Sequence, residues 1–79
     1  MDGRRTAEAA IARIRDAKFR TTRWDGYDSD EVDDFLDAMV AQLSRGESVA
    51  AGAPAFTRIR LRPGYRSAEV DALLQELGV

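Results

Sequence analysis

The chain has 79 residues, 44% apolar and 33% charged, with no Cys and no His. A chain of that size makes one small domain (residues 1–79) with a modest core, and the two absences remove disulfides, thiolate nucleophiles, imidazole bases and the usual zinc ligands. The formal net charge of −2 hides a segregated pattern: residues 1–23 carry seven basic groups against three acids, residues 24–44 seven acids and no base, and residues 45–79 five Arg against four acids. Such segregation predicts a basic face for an anionic partner, or charge pairing between segments. No stretch reaches the roughly 20 apolar residues that span a bilayer, and no apolar run follows the N-terminal arginines as in a secretory signal. The expected location is cytoplasmic.

In chain order, Thr6 is placed to cap a helix running to about Lys18. Ala7, Ala10, Ile11, Ile14 and Ala17 share one face, with Arg13, Arg15 and Asp16 outside it. The run FRTTRW (19–24) favours extended backbone, and Asp25-Gly26 predicts a turn in which Gly supplies a positive φ. Asp28 is a good N-cap, and Glu31 stands at capping-box spacing. Val32, Phe35, Leu36, Met39, Val40 and Leu43 then form one continuous apolar stripe, predicting a helix over 29–43. Residues 45–55 (RGESVAAGAPA) read as a flexible linker. FTRIRLR alternates Thr57, Ile59 and Leu61 with Arg58, Arg60 and Arg62, as a strand or arm with one basic side. Pro63-Gly64 makes a turn, and Ser67 can cap a last helix with Val70, Leu73, Leu74 and Leu77 on one face.

The chain repeats itself. GYDSDEVDDFLDAM (26–39) aligns with GYRSAEVDALLQEL (64–77) at a shift of 38 residues. At a shift of 37, Phe19, Arg23 and Trp24 align with Phe56, Arg60 and Leu61. The first copy spans 19–44, the linker 45–55 and the second copy 56–79. A unit this short cannot bury its apolar face alone, so the two stripes are expected to meet. The predicted helix interface is Val32, Phe35, Leu36, Met39 and Leu43 against Val70, Leu73, Leu74 and Leu77. The turn-and-cap set is Gly26, Tyr27, Asp28, Glu31, Gly64, Tyr65 and Ser67. The fold expected is mainly α: short helices with extended arms, two turn-helix repeats packed as a pseudo-dimer, either a parallel helix pair or a helical hairpin. A parallel pair is feasible. The first stripe helix is about 22 Å long, and an eleven-residue linker extends to about 36 Å. The arms 19–24 and 56–61 would then cross or pair as strands.

A Phe, a short basic spacer and G-Y-D-x-x-E-V-D-x-F-L together resemble the DivIVA domain, the N-terminal module of bacterial division and polar-growth scaffolds. FRTTRWDGYDSDEVDDFLDAM matches closely, and the preceding IARIRDAKF resembles the family's lead-in. FTRIRLRPGYRSAEVDALLQEL matches less well, with Arg66 for the Asp of the turn and Leu73 for the Phe. The resemblance covers roughly residues 6–77. It implies a parallel two-helix coiled coil with crossed loops, whose tip inserts an aromatic, flanked by a basic residue, into the inner membrane leaflet. The matching positions are Arg23 and Trp24 in the first copy, and Arg60, Leu61 and Arg62 in the second. Two features depart from the family: no long coiled coil follows the second copy, so filaments are not expected, and Asp25 sets a negative charge beside the anchor.

Plainer readings stand beside these. Trp24 and Leu61 suit a core as well as an anchor. Tyr27 and Tyr65 are expected to pack on the helix starts. Asp30, Asp33, Asp34 and Asp37 read as a solvated helix face, since Asp33 stands where a calcium loop needs Gly. The ladder Arg58, Arg60, Arg62 and Arg66 is expected to pair with the acids of 25–37 rather than with nucleic acid. The expectation is a non-enzymatic adaptor with no cofactor, metal or small-molecule substrate. It would bind a protein or a second copy of itself, or lie peripherally on an anionic membrane at its inner face.

Overall fold

The computed structural model describes residues 3–47 and 55–78. It contains three helices and four two-residue strands in the order α1 (Gly3–Asp16), β1 (Thr21–Thr22), β2 (Gly26–Tyr27), α2 (Ser29–Ser44), β3 (Arg58–Ile59), β4 (Gly64–Tyr65) and α3 (Ser67–Glu76). The mainly α expectation is therefore corrected to a mixed architecture in which the helices stand on a small antiparallel sheet. The sheet arises because each arm leaves its own copy and hydrogen-bonds to the other one. Linker positions 48–54 lie outside the described residues.

The sheet order is β1-β4-β2-β3. Thr21 and Thr22 face Tyr65 and Gly64, Gly26 and Tyr27 face Ile59 and Arg58, and Tyr27 faces Tyr65 at the centre. The arms cross but do not pair with each other. Since β1 and β2 both run antiparallel to β4, which lies between them, residues 23–25 must step over β4. Residues 60–63 step over β2 for the same reason.

Contacts around this crossing are reciprocal. Asp28 N–H donates to the Thr57 carbonyl (2.8 Å), and Arg66 N–H to the Arg20 carbonyl (3.0 Å). Thr57 N–H donates to Glu31 Oε1 (3.1 Å) and Arg20 N–H to Glu69 Oε1 (2.9 Å). The Tyr27 hydroxyl donates to Asp71 (3.0 Å) and that of Tyr65 to Asp33 (2.9 Å). Phe19 stacks on Tyr65 with ring centres 5.1 Å apart, and Phe56 on Tyr27 at 5.2 Å. The residues that define the repeat are thus those with which one copy grips the other.

Three local expectations are corrected by this grip. Glu31 does not close a capping box; its carboxylate accepts from the Thr57 N–H, while Asp28 alone caps α2 by accepting from the Asp30 N–H (3.0 Å). Ser67 is the first residue of α3 rather than its cap, and Arg66 in the cap position makes no side-chain cap bond. The positive φ of the first turn belongs to Asp25 (60°), while Gly26 lies in β2. Glycine is needed at the crossing for space: a β-carbon on Gly26 would come 2.9 Å from the Gly64 carbonyl carbon, and one on Gly64 would come 2.5 Å from the Tyr27 carbonyl oxygen. α1 begins upstream of Thr6, which lies inside the helix instead of capping it.

The core holds Ile14, Val32, Leu36, Met39, Val70, Leu73 and Leu74, with Phe35, Leu43 and Leu77 partly buried against it. Burial of these apolar side chains, at about 1.5–3 kcal/mol each, is the main stabilising term. α1 runs antiparallel to α3, because Arg13 reaches Glu76 at the end of α3 (2.6 Å) while Arg20, past the end of α1, reaches Glu69 near its start. It also runs antiparallel to α2: Ile11 borders the same groove as Ser44, and Phe19 the same groove as Asp33. α2 and α3 therefore leave the sheet in the same direction, and a helical hairpin is not what forms. Ile14 closes the core from the third side, which neither stripe alone implies.

Candidate functional site

The two step-over loops end in the only large apolar side chains among the described residues that face solvent fully. Trp24 is 86% exposed and Leu61 101%. A core role for either is thereby overturned. The cause is local: Trp24 and Leu61 sit at the bend of a connection three or four residues long, and neither connection can fold its tip back onto the helices. The Trp24 N–H donates to Thr22 Oγ1 (3.1 Å), which fixes the bend. Asp25 follows in the left-handed region, where Asp is better tolerated than most residues.

The tips lie side by side. Arg60 Nε donates to Asp25 Oδ1 (3.2 Å), and Arg58 Nη1 donates to the Asp25 carbonyl (3.1 Å). Arg58 also lies over the Tyr27 ring, 5.1 Å from its centre. Arg62 Nη2 donates to Asp28 Oδ2 (2.9 Å), with Asp30 3.8 Å from its other terminal nitrogen. The ladder arginines Arg60 and Arg62 thus pair with the acidic segment. Arg23 and Arg66 make no ion pair among the described residues. Residues 20–28 and 57–66, which build this end, hold six Arg against two Asp, whereas α2 holds five acids and no base. The molecule is basic at the tips and acidic along α2.

The predicted interface residues Val32, Leu36, Met39, Val70, Leu73 and Leu74 come together as core, and of the predicted tip residues Trp24 and Leu61 are exposed. Tyr27 and Tyr65 do pack on helix starts, each on the helix of the other copy. Burial, followed by the hydrogen bond to Asp71 or Asp33, raises both phenols above their ordinary 10.0. The cross-copy roles of Glu31, Glu69, Asp33 and Asp71 were not read from the sequence, where Glu31 stood as a capping residue; their identity in both copies, E-V-D at one spacing, is the signal that marks them as shared contacts.

Among the described residues no cluster of His, Cys, Asp or Glu is arranged to hold a metal ion. A groove of about 690 Å³ is open to solvent; Ile14, Leu36 and Val40 are among its apolar lining, with Lys18, Asp33 and Asp37 also lining it. No helix among the described residues is long and apolar enough to cross a membrane. Comparison with protein families, with curated proteins and with solved structures finds no match to this chain.

Proposed function

We propose that this chain is a non-enzymatic interaction module: a single-chain pseudo-dimer of two DivIVA-like repeats that presents its paired tips to an anionic membrane surface. In this reading it is an adaptor of bacterial cell division or polar growth, held peripherally at the cytoplasmic face. The observation that carries it is the full exposure of Trp24 and Leu61 on adjoining tips, at an end rich in arginine. An indole and a leucine enter the interfacial layer favourably, and each basic group near an anionic surface adds about 1 kcal/mol. One such anchor is weak, and two on one rigid body act together.

A second reading is a protein adaptor with no membrane role. It is favoured by the ion pairs of Arg60 and Arg62, which occupy charges that headgroups would use. Those pairs also weigh against nucleic acid as the partner, since two of the arm's four arginines already hold carboxylates.

Co-sedimentation with phosphatidylglycerol vesicles, against phosphatidylcholine vesicles, separates the readings. The membrane reading expects binding to the anionic vesicles alone, with Trp24→Ala and Leu61→Ala together reducing it by about tenfold or more. Unchanged binding by a folded double variant would refute the anchor. No binding by the wild type would leave the protein-adaptor reading.

A further inference from the structure

We propose that Asp25 is an electrostatic latch that holds the arginines of the opposite tip until a phosphate-bearing anion takes its place. The proposal rests on the reading of the tips as an anion-facing surface and adds what controls them. Asp25 is the residue through which the first tip holds the second: its carboxylate accepts from Arg60 and its carbonyl from Arg58. Both partners of the ion pair face solvent, with side chains 77% and 48% exposed for Arg60 and Asp25, so an incoming anion has access to them.

The other acid of this end is not equivalent. Asp28 pairs with Arg62 but also caps α2, and its side chain is only 14% exposed. Its Oδ1 stays committed to the Asp30 N–H whether or not Oδ2 holds Arg62, so this carboxylate is fixed in place by the helix. Asp25 has no such second duty. It occupies a left-handed position, at a φ of 60°, where a residue without charge, Gly or Asn, would sit at least as easily. The charge at this site is therefore better explained by what it holds than by the turn it makes. The second tip has no such acid: Arg62 aligns with Asp25, so the latch works from one tip onto the other.

The ligand is named by chemistry. Guanidinium groups take phosphate oxygens in a planar fork; Arg60 precedes Leu61 as Arg23 precedes Trp24, and Arg58 lies on the same arm. A phosphate accepted by these groups replaces the Asp25 carboxylate with a stronger set of acceptors. The phosphate could belong to a lipid headgroup or to a free polyphosphate, and the two are tested separately.

The test uses the whole chain as wild type, Asp25→Asn and Asp37→Asn. Asn keeps an acceptor oxygen and tolerates the left-handed backbone. Asp37 removes the same charge from α2, more than two turns from its start. Inorganic tripolyphosphate is titrated calorimetrically, and phosphatidylglycerol vesicles are assayed by co-sedimentation. Asp25→Asn is expected to bind tripolyphosphate about fivefold more tightly, the factor given by about 1 kcal/mol for one charge near an anionic surface, with its melting temperature unchanged. Asp37→Asn is expected to bind as wild type. Equal tightening in both variants, or none in Asp25→Asn, or no binding of tripolyphosphate to it at all, overturns the latch. Tighter tripolyphosphate binding with no vesicle binding by any of the three keeps the latch and refutes the membrane reading.

Discussion

The first copy approaches its helix through Asp25-Gly26-Tyr27-Asp28, the second through Arg62-Pro63-Gly64-Tyr65-Arg66. The Gly and Tyr are the same in both, and they make the same contacts twice: paired backbones at the crossing, and a hydroxyl given to the other copy's helix. The charged positions are opposite in sign, and they make the contacts that are not duplicated, Arg60 to Asp25 and Arg62 to Asp28. Two second copies brought together in this geometry would set Arg62 against Arg60 and Arg66 against Arg62. Two first copies would keep one pair, Arg23 with Asp25, but set Asp28 against Asp25 in the other. Identical residues therefore make the pairing, and the differing ones select the unlike partner, because like charges at such short range disfavour the alternative.

The severest way to break that comparison is at the crossing. A methyl on Gly64 would lie 2.5 Å from a carbonyl oxygen, against 2.9 Å for the nearest atom at Gly26. Overpacking of this kind costs up to about 3 kcal/mol, comparable with the whole stability of so small a domain. Gly64→Ala is expected to lose cooperative thermal melting and Gly26→Ala to keep it at a lower temperature. A Gly64→Ala protein that melts like wild type would show that the copies are not pressed together there.

The tyrosines sharpen the equivalence. Tyr27→Phe and Tyr65→Phe each remove one hydroxyl-to-carboxylate bond and should each cost about 1 kcal/mol. Denaturation of these variants combined with Asp71→Asn and Asp33→Asn gives two thermodynamic cycles of similar coupling. Unequal coupling would mean that the copies grip each other unevenly. The pH dependence follows from both phenols being raised by burial and then by their carboxylate partners. The protonated phenol is favoured in the folded state, so this stability is complete below the ordinary 10.0 and is lost as pH rises through the folded values. Phenolate absorbance should therefore rise together with loss of helical circular dichroism, and Phe variants should lose less stability above that pH than wild type.

The smallest effect concerns charge. Arg62→Glu faces Asp28 and Asp30 with a like charge, and exposed pairs of this kind are worth about 0.2–1 kcal/mol. Its melting temperature should fall at low salt and return towards wild type at high salt. A loss independent of salt would assign Arg62 a packing role instead.

α2 was fully legible in the sequence, since a stripe from Val32 to Leu43 at helical spacing leaves no other way to bury those side chains. The repeat was legible too. The sheet was not, because its strands are two residues long and every pairing joins residues far apart in the chain. Local rules misled where a distant partner competed for the same group. Glu31 had the spacing for its own cap, yet its carboxylate serves Thr57. Gly26 had the look of a turn residue, yet it is small for the sake of Gly64. Trp24 and Leu61 continued apolar patterns, but the chain turns at Ile59 and after Thr22, which leaves their side chains outside. At the tips Trp24 and Leu61 were singled out by the family resemblance, while the contacts of Asp25 with Arg58 and Arg60 join residues too far apart in the chain to be read from local pattern.

The strand order β1-β4-β2-β3 also bears on how the protein is born. Each outer strand is bonded only to the other copy, so neither copy is a folding unit. A ribosome adding about 5–20 residues per second therefore releases α2 with only α1 to cover its apolar stripe, and the side facing α3 stays uncovered until Glu76 at the end of α3 has emerged. In the interval a nascent first copy meets any second copy close at hand, and the charge difference between the copies makes neighbouring chains on one message competent substitutes for its own.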